Sequence, residues 1–296
     1  MVSFKGLGVA LVTPFRENGS VDYNGLQKLI ELQVKNGTDY LVVQGTTGES
    51  ATLSASEKIA VLDYIAEINA KRLPIVLGVG GNNTLSVAQQ LEHLDTSHVD
   101  GILSVSPYYN KPSQQGIVAH YRTIANATDL PIILYNVPGR TSSNVLAETT
   151  LELASDVKNI VAVKEASGNL EQIMSIIKNK PDGFLVLSGD DALTLPHLTI
   201  GGDGVISVVA NAFPKRFSTL VHAALEGDLN LAREKHYELI EIIQQLFVDG
   251  NPGGVKHVLS LLNICEDHLR LPLVKVNEKT AKKLYELTAQ LGEKVV

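Results

Sequence analysis

The chain has 296 residues, of which 44% are hydrophobic, and this length fits one large α/β barrel or two ordinary domains of roughly 150 residues each. Its net charge of -7 argues against a nucleic-acid partner, because duplex binding draws much of its affinity from clustered Lys and Arg. A charged fraction of 19% with 5% aromatic residues is typical of a globular protein rather than a disordered or fibrous one.

The sequence also bears on where the protein resides. Residues 1–8 lack a basic segment followed by an apolar run, and no segment approaches the ~18 uninterrupted apolar residues of a membrane helix. We therefore expect a cytoplasmic protein. Cys265 is the only cysteine, which excludes an intrachain disulfide and a thiolate metal cluster, and its apolar surroundings predict burial.

Eight short apolar runs are predicted to be strands. They are nearly continuous in Val, Ile and Leu instead of alternating, which is typical of parallel strands that are buried on both faces. In chain order the predicted strands are Val9–Val12, Tyr40–Val43, Ile75–Val79, Gly101–Val105, Ile132–Tyr135, Ile160–Val163, Phe184–Leu187 and Val205–Val209.

Helical segments lie between these strands, and three of them begin at capping residues. These residues are Ser54 with Glu57, Thr84, and Asn169 with Gln172. The strands begin ~20 to 36 residues apart, as repeated right-handed βαβ units do, and eight such units close naturally into a barrel.

After Val209 the pattern is helical alone, with apolar residues spaced by three and four over 220–225, 231–247 and 255–264. We therefore predict an α/β fold, a (β/α)8 TIM barrel over residues 1–215, followed by a C-terminal helical region over 216–296. A doubly wound open sheet would give the same strand pattern, but it would usually stop near five or six strands.

The functional groups of a barrel cluster at the carboxyl ends of its strands. Lys164 directly follows the run Ile160–Val163, so a rigid strand would carry its amine to the barrel mouth among apolar neighbours. Desolvation disfavours the charged form, and a neutral amine is the nucleophile that attacks a ketone. The alternative is a structural ion pair, for example with Glu165, and position alone leaves both interpretations open.

Three further strand ends carry polar groups whose role is open. Residues 45–50, Gly-Thr-Thr-Gly-Glu-Ser, form either a simple turn or a cradle of hydroxyls and backbone N–H groups for a small carboxylate. Tyr135 either takes part in chemistry or only bonds a backbone carbonyl. Arg140 is either a solvated loop residue or a planar ligand for a carboxylate. Because the strand ends lack His and their acidic residues lie on separate strands, we expect no metal and no cofactor.

Four segments taken together resemble the dihydrodipicolinate synthase family. They are Gly-Thr-Thr-Gly-Glu at 45–49, Pro-Tyr-Tyr-Asn-Lys-Pro at 107–112, Tyr-Asn-Val-Pro-Gly-Arg-Thr at 135–141 and Val-Lys-Glu-Ala at 163–166. These motifs stand in the family's order and at its strand ends, so the resemblance covers nearly the whole chain. The wider family also contains N-acetylneuraminate lyase and sugar-acid aldolases, but Arg140 and the paired threonines are typical of the synthase.

The resemblance implies that Lys164 forms a Schiff base with pyruvate and that the enamine attacks (S)-aspartate 4-semialdehyde. Cyclisation onto the imine carbon would then release Lys164, in the first committed step toward lysine. Tyr135 would be the general acid and base, and Thr46 would link it to Tyr109 in a proton relay. Tyr109 would reach in from a neighbouring subunit, so the resemblance favours a homotetramer built as a dimer of dimers.

The resemblance also implies which residues bind the two substrates. Thr46 and Thr47 would hold the pyruvate carboxylate, and Arg140 would bind the carboxylate of the semialdehyde. Gly189 and Ile206 would shape the wall beside the imine.

The sequence departs from the family pattern in two places. Residues 251–256 are Asn-Pro-Gly-Gly-Val-Lys where many relatives have Asn-Pro-X-Pro-Val-Lys, and we expect the two glycines to loosen the start of the next helix. Ala55, Lys58 and Ser86 replace residues that are common in lysine-inhibited relatives. Since Lys58 would repel a cationic ligand, we expect weak or absent inhibition by lysine.

Two other functions are open at this stage. A sialic-acid or sugar-acid aldolase would use the same lysine with another aldehyde, and Arg140 argues against it. A catalytically silent barrel that senses a keto acid would share the fold, because one fold supports binding and catalysis alike. The presence of all the proposed proton-transfer residues argues against this second alternative.

Overall fold

Eight parallel strands close into a barrel in the order of the chain, β1 to β8, in a computed structural model that describes residues 2–293 and 295. The strands are β1 (Gly6–Ala10), β2 (Tyr40–Val43), β3 (Ile75–Gly78), β4 (Gly101–Val105), β5 (Ile132–Asn136), β6 (Ile160–Glu165), β7 (Leu185–Ser188) and β8 (Gly204–Ser207). The predicted (β/α)8 fold is therefore confirmed.

Helices surround this barrel and continue beyond it. They are α1 (Tyr23–Lys35), α2 (Ala55–Asn69), α3 (Thr84–Glu92), α4 (Gln114–Ala125), α5 (Pro138–Thr141), α6 (Ala147–Asp156), α7 (Leu170–Asn179), α8 (Thr194–Thr199), α9 (Pro214–Glu226), α10 (Leu229–Gln245), α11 (Gly253–Leu261) and α12 (Glu278–Gln290). Short 3₁₀ turns lie at Ser50–Thr52 and Val209–Asn211. Among the described residues, no helix is long and apolar enough to cross a bilayer.

Six of the eight predicted strands differ from the structure at one or both ends, and β1 and β8 show why. β1 begins at Gly6 rather than Val9, because Gly6 and Gly8 pair with β8 although they interrupt the apolar run. β8 ends at Ser207, because the Ser207 hydroxyl accepts the backbone N–H of Ala210 and the chain turns there. Apolar character alone does not distinguish a strand from the turn that follows it.

The C-terminal helices do not all lie apart from the barrel. α9 packs against β1 and β8, in the position of the eighth barrel helix, while α10 and α12 pack further out. The division at residue 215 stays a prediction. α12 falls in the predicted helical region, but its apolar spacing did not single it out, because its buried face holds only Leu284, Leu287 and two threonines among charged residues.

A carboxylate at the amino-terminal end of the barrel ties α9 to β1. Asp39 accepts the backbone N–H of Leu7 at 2.7 Å and the Nε2 atom of His222 at 2.8 Å. The Asp39 carboxylate raises the pKa of His222, with burial and Lys215 opposing this rise and Glu226 adding to it. The contact therefore favours a protonated His222.

The His222→Gln variant should lose stability in a pH-dependent way. A histidine whose pKa is raised on folding stabilises the fold below its unfolded value of about 6.5 and loses that contribution as the pH rises through the folded value. Urea unfolding of wild type and variant should therefore show a larger difference at about pH 5.5 than at about pH 8.5. The exposed-site variant His93→Gln is the control, and an equal difference at both pH values would contradict the assignment.

Candidate active site

A cavity of about 370 Å³ opens at the carboxyl ends of the barrel strands. Six of the eight site residues expected from the sequence line it: Thr46, Thr47, Tyr135, Arg140, Lys164 and Gly189. The cavity is also lined by Ala10, Gly45, Leu103, Val137, Gly139, Ala166, Asp190, Val208, Phe247 and Asn251. Within the described residues, no group of three or more His, Cys, Asp or Glu side chains could hold a metal ion.

Lys164 points into the barrel and is only 6% exposed. It stands two residues after Ala162, which belongs to the interior core, and side chains of a strand alternate between its faces. Its Nζ atom lies 4.2 Å from the centroid of the Tyr135 ring. The Tyr135 ring and the apolar interior therefore leave the Lys164 amine directed toward the cavity.

The neighbouring Glu165 does not pair with Lys164. It faces outward, where its carboxylate accepts hydrogen bonds from Asn136, from the backbone N–H of Ser167 and from Gln172. Among the described residues, Lys164 takes part in no ion pair. The alternative interpretation, an ion pair between Lys164 and Glu165, is therefore wrong.

Tyr135 stands directly beside Lys164 because β5 and β6 pair in a register that sets these two residues opposite each other. The tyrosine is 7% exposed, and its hydroxyl makes no hydrogen bond to another described residue. A phenol that is not committed to a backbone carbonyl is free to bond a molecule in the cavity.

Gly189 gives Lys164 the room it occupies. A Cβ atom at position 189 would lie 2.6 Å from the Cβ of Ala166 and 3.0 Å from the Cε of Lys164. Any other residue would displace the lysine or the strand end. Ile206 is 1% exposed and packs in the barrel interior, two residues before Val208 of the cavity wall, so it shapes the wall from behind.

The buried carboxylate of Asp191 fixes the wall between β7 and β8. It accepts the backbone N–H groups of Val208, at 3.0 Å, and of Val209, at 2.7 Å. These two strands pair directly over only two positions, so the carboxylate continues the connection at their carboxyl ends. Burial raises the pKa of Asp191 to about 6, although its hydrogen bonds act in the opposite direction.

Tyr109 lies outside the cavity. Its side chain is 86% exposed, and its φ angle of 77° falls in the left-handed region, which non-glycine residues seldom adopt. The structure therefore does not bring Tyr109 to Thr46 and Tyr135 within one chain.

The C-terminal region contributes two cavity residues that the sequence did not point to. Phe247 and Asn251 lie between α10 and α11 and line the cavity together with residues of the barrel strand ends. The Asn-Pro pair at 251–252 was the available signal, but nothing in its local pattern shows that it contacts residues two hundred positions earlier.

Gly254 has a packing role at the start of α11, and the expectation that the two glycines loosen this start stays a prediction. A Cβ atom there would lie 2.2 Å from the carbonyl oxygen of Leu246, so glycine permits a close backbone approach between α11 and the end of α10. Asn251 lies in the turn between these two helices and lines the cavity.

A buried ion pair joins the turn at residues 45–50 to α11. Lys256 Nζ lies 2.5 Å from Glu49 Oε1, and neither side chain is exposed. Lys256 also donates to the carbonyl of His268, and the backbone N–H of Arg270 donates to the second Glu49 oxygen. Burial lowers the pKa of Lys256, and the charge of Glu49 opposes that shift.

Removing only the cation of this pair should lower the stability of the fold. The Lys256→Met variant leaves the Glu49 carboxylate buried without its partner, and we expect the free energy of unfolding to fall by about 3 to 5 kcal/mol. The double variant Glu49→Gln/Lys256→Met should recover much of that loss, because it leaves no buried charge. Urea unfolding at neutral pH measures both.

The Lys28→Met variant is the control for this comparison, since Lys28 also connects the barrel to the C-terminal region but lies at an exposed contact with the carbonyl of Asn263. A double variant as unstable as the single one would show that the buried charge is not the cause.

Comparisons with known proteins agree with this fold and cavity. The sequence model of the Dihydrodipicolinate synthetase family matches residues 3–291. A 4-hydroxy-tetrahydrodipicolinate synthase from Parabacteroides distasonis is 54% identical over 293 residues, covering 99% of each chain. The crystal structure of dihydrodipicolinate synthase from Aquifex aeolicus is 43% identical, covers 99% of each chain and superposes with a TM-score of 0.95.

A further solved relative carries a ligand in its description. It is the chloride-inhibited dihydrodipicolinate synthase from Acinetobacter baumannii complexed with pyruvate, which is 36% identical with a TM-score of 0.95 and covers 98% of this chain and all of its own (100%). The fold and these relatives define a (β/α)8-barrel enzyme of the lyase class. More particularly, the chain belongs to the dihydrodipicolinate synthetase family.

Proposed function

We propose that this chain condenses pyruvate with (S)-aspartate 4-semialdehyde to form 4-hydroxy-tetrahydrodipicolinate. The observation that carries the proposal is the buried Lys164 amine, which has no carboxylate partner among the described residues and lies 4.2 Å from the Tyr135 ring centroid. An amine held in this way is suited to attack a ketone, and the relatives at about half identity are named for this reaction.

The proposed reaction proceeds through a Schiff base. The Lys164 amine adds to the ketone carbon of pyruvate, and loss of water from the carbinolamine gives an imine. Loss of a methyl proton gives an enamine, whose carbon attacks the aldehyde of the second substrate. The amino group of that substrate then adds to the imine carbon, and expulsion of the Lys164 amine releases the cyclic product.

Each of these steps moves a proton, and Tyr135 is placed to carry it. Its hydroxyl is not engaged by another described residue and its ring lies beside the Lys164 amine. A positioned acid and base contributes roughly 10²- to 10⁴-fold to such steps. Thr46 lines the same cavity and would pass the proton on.

Charged and polar groups in the cavity fit the two carboxylates of the substrates. Thr46 and Thr47, on the turn beside Lys164, would hold the carboxylate of pyruvate. Arg140 lies on the outer part of the cavity and is exposed, so its guanidinium can bind the carboxylate of the incoming semialdehyde. The expected weak response to lysine, argued from Lys58, stays a prediction, as does a cytoplasmic location.

Reduction with borohydride tests the central step. Incubation with pyruvate and borohydride should leave a stable adduct at Lys164, identified by mass spectrometry of the digest, because reduction traps the imine. The Lys164→Arg variant should give no adduct and no turnover, whereas Lys180→Arg, at a part-buried ion pair with Asp203 outside the cavity, should react as wild type does. A wild-type protein that gives no adduct would overturn the proposal.

Turnover assays on the same preparation distinguish the proposed synthase from the alternative, a sialic-acid aldolase. Turnover with aspartate semialdehyde and none with N-acetylmannosamine is the expected result. An adduct accompanied by turnover of N-acetylmannosamine alone would assign the chain as a sialic-acid aldolase.

We further propose that Tyr109 completes the site of a neighbouring subunit in a homotetramer. Its side chain is 86% exposed and its backbone holds it away from the cavity of its own chain. A large exposed aromatic residue on a constrained loop is the kind of group that contributes to an interface.

Subunit complementation tests this arrangement. Tyr109→Phe should lower kcat by roughly 10-fold or more, as loss of a relay hydroxyl does, and Lys164→Ala should abolish turnover. Hybrid oligomers that contain both variants, isolated by two affinity tags, should exceed the mean activity of their parents, because some sites then combine an intact Lys164 with an intact Tyr109.

Tyr108→Phe is the matched control, since Tyr108 adjoins Tyr109 but is only 39% exposed. Hybrids no more active than the mean of their parents, or a monomeric wild type with full activity, would contradict the shared site.

A further inference from the structure

The hydroxyl of Thr47 is engaged from one side by the C-terminal region. Asn251 Nδ2 donates a hydrogen bond to Thr47 Oγ1 at 2.9 Å. Thr47 is 3% exposed and Asn251 is 8% exposed, so water competes little for this contact. Both residues also line the cavity that contains Lys164.

The direction of this hydrogen bond decides where the hydroxyl hydrogen goes. A threonine hydroxyl has one hydrogen to donate, and its oxygen also accepts. Because the Asn251 amide supplies a hydrogen to that oxygen, the hydroxyl cannot donate back along the same line. Among the described residues, no acceptor takes the Thr47 hydrogen, so it is available to a group in the cavity.

The position of Asn251 is itself fixed by packing. The preceding helix α10 meets α11 where Gly254 allows the close backbone approach to Leu246. Five residues after Asn251, Lys256 is buried against Glu49, two residues after Thr47. The amide and the hydroxyl are therefore held together by two neighbouring contacts between the same pair of segments.

We propose that Asn251 is a positioning residue that turns Thr47 into a hydrogen-bond donor for the carboxylate of pyruvate. This inference rests on the proposed function of the site. In this role Asn251 acts through Thr47 and does not touch the reacting atoms. Its effect is to keep the hydroxyl oxygen occupied, so that the hydrogen of Thr47 is presented to an anion.

The Asn251→Asp variant tests the direction of the bond with almost no change in shape. An aspartate accepts the Thr47 hydrogen instead of donating to its oxygen, so the hydroxyl can no longer serve the substrate. The KM for pyruvate should rise by about 10-fold or more, as expected for loss of a hydrogen bond to a charged group, while kcat stays within about 2-fold. Asn263→Asp, the same exchange at an exposed site in the C-terminal region, should leave both constants unchanged.

A double-mutant cycle with Thr47→Val separates positioning from direct repulsion by the new carboxylate. If Asn251 acts through Thr47, the Asn251→Asp exchange should change the KM for pyruvate by less than about 2-fold once the hydroxyl is gone. The same multiplicative rise in both backgrounds, or an unchanged KM in the single variant, would overturn the inference. Melting temperatures establish folding, and Asn251→Ala repeats the cycle without added charge if the aspartate variant does not fold.

Borohydride trapping distinguishes a failure of the proposed Schiff-base reaction from a failure of the role proposed for Asn251. A wild-type protein without a pyruvate adduct would refute the proposed function. A wild type that forms the adduct, together with an Asn251→Asp variant that is trapped equally at low pyruvate concentration, would refute only the positioning role.

Discussion

The pairing of β5 with β6 is the constraint on which the candidate site depends. It sets Tyr135 opposite Lys164 and Asn136 opposite Glu165. Because side chains alternate between the two faces of a strand, the first pair faces the barrel interior and the second faces the helices. A slip of one residue would exchange the faces and put a carboxylate where the amine now lies. The chemistry of the cavity is therefore a consequence of strand register.

Two buried lysines show how similar surroundings produce different roles. Each has its Nζ atom 4.2 Å from an aromatic centroid, Lys164 over Tyr135 and Lys256 over Phe15. Lys256 also contacts the Glu49 carboxylate and a backbone carbonyl, so its charge is balanced and two of its three N–H donors are used. Lys164 has no such carboxylate within the described part of the chain, and it opens onto the cavity. Lys256 therefore contributes to stability, whereas the amine of Lys164 is available for chemistry.

The sequence was sufficient for the features that depend on local pattern. Continuous apolar runs predicted the eight strands, and the strand ends pointed to six of the sixteen residues that line the cavity, because strand ends meet at one rim. It was not sufficient for contacts between distant segments. Nothing near Glu49 indicates a lysine 207 positions later, and nothing near Thr47 indicates an amide 204 positions later. The packing role of Gly254 was missed for the same reason, since glycine flexibility is visible locally whereas a close backbone approach is not.

These long-range contacts make the C-terminal helices part of the site rather than an attachment to it. Phe247 and Asn251 line the cavity, and Asn251 contacts Thr47 on the turn after β2. The candidate site therefore spans the predicted boundary at residue 215. Because the contact that orients Thr47 lies beside the ion pair that fixes α11, a shift of that helix would move Asn251 away from the hydroxyl. Helix packing and the direction of one hydroxyl hydrogen are thereby coupled in this fold.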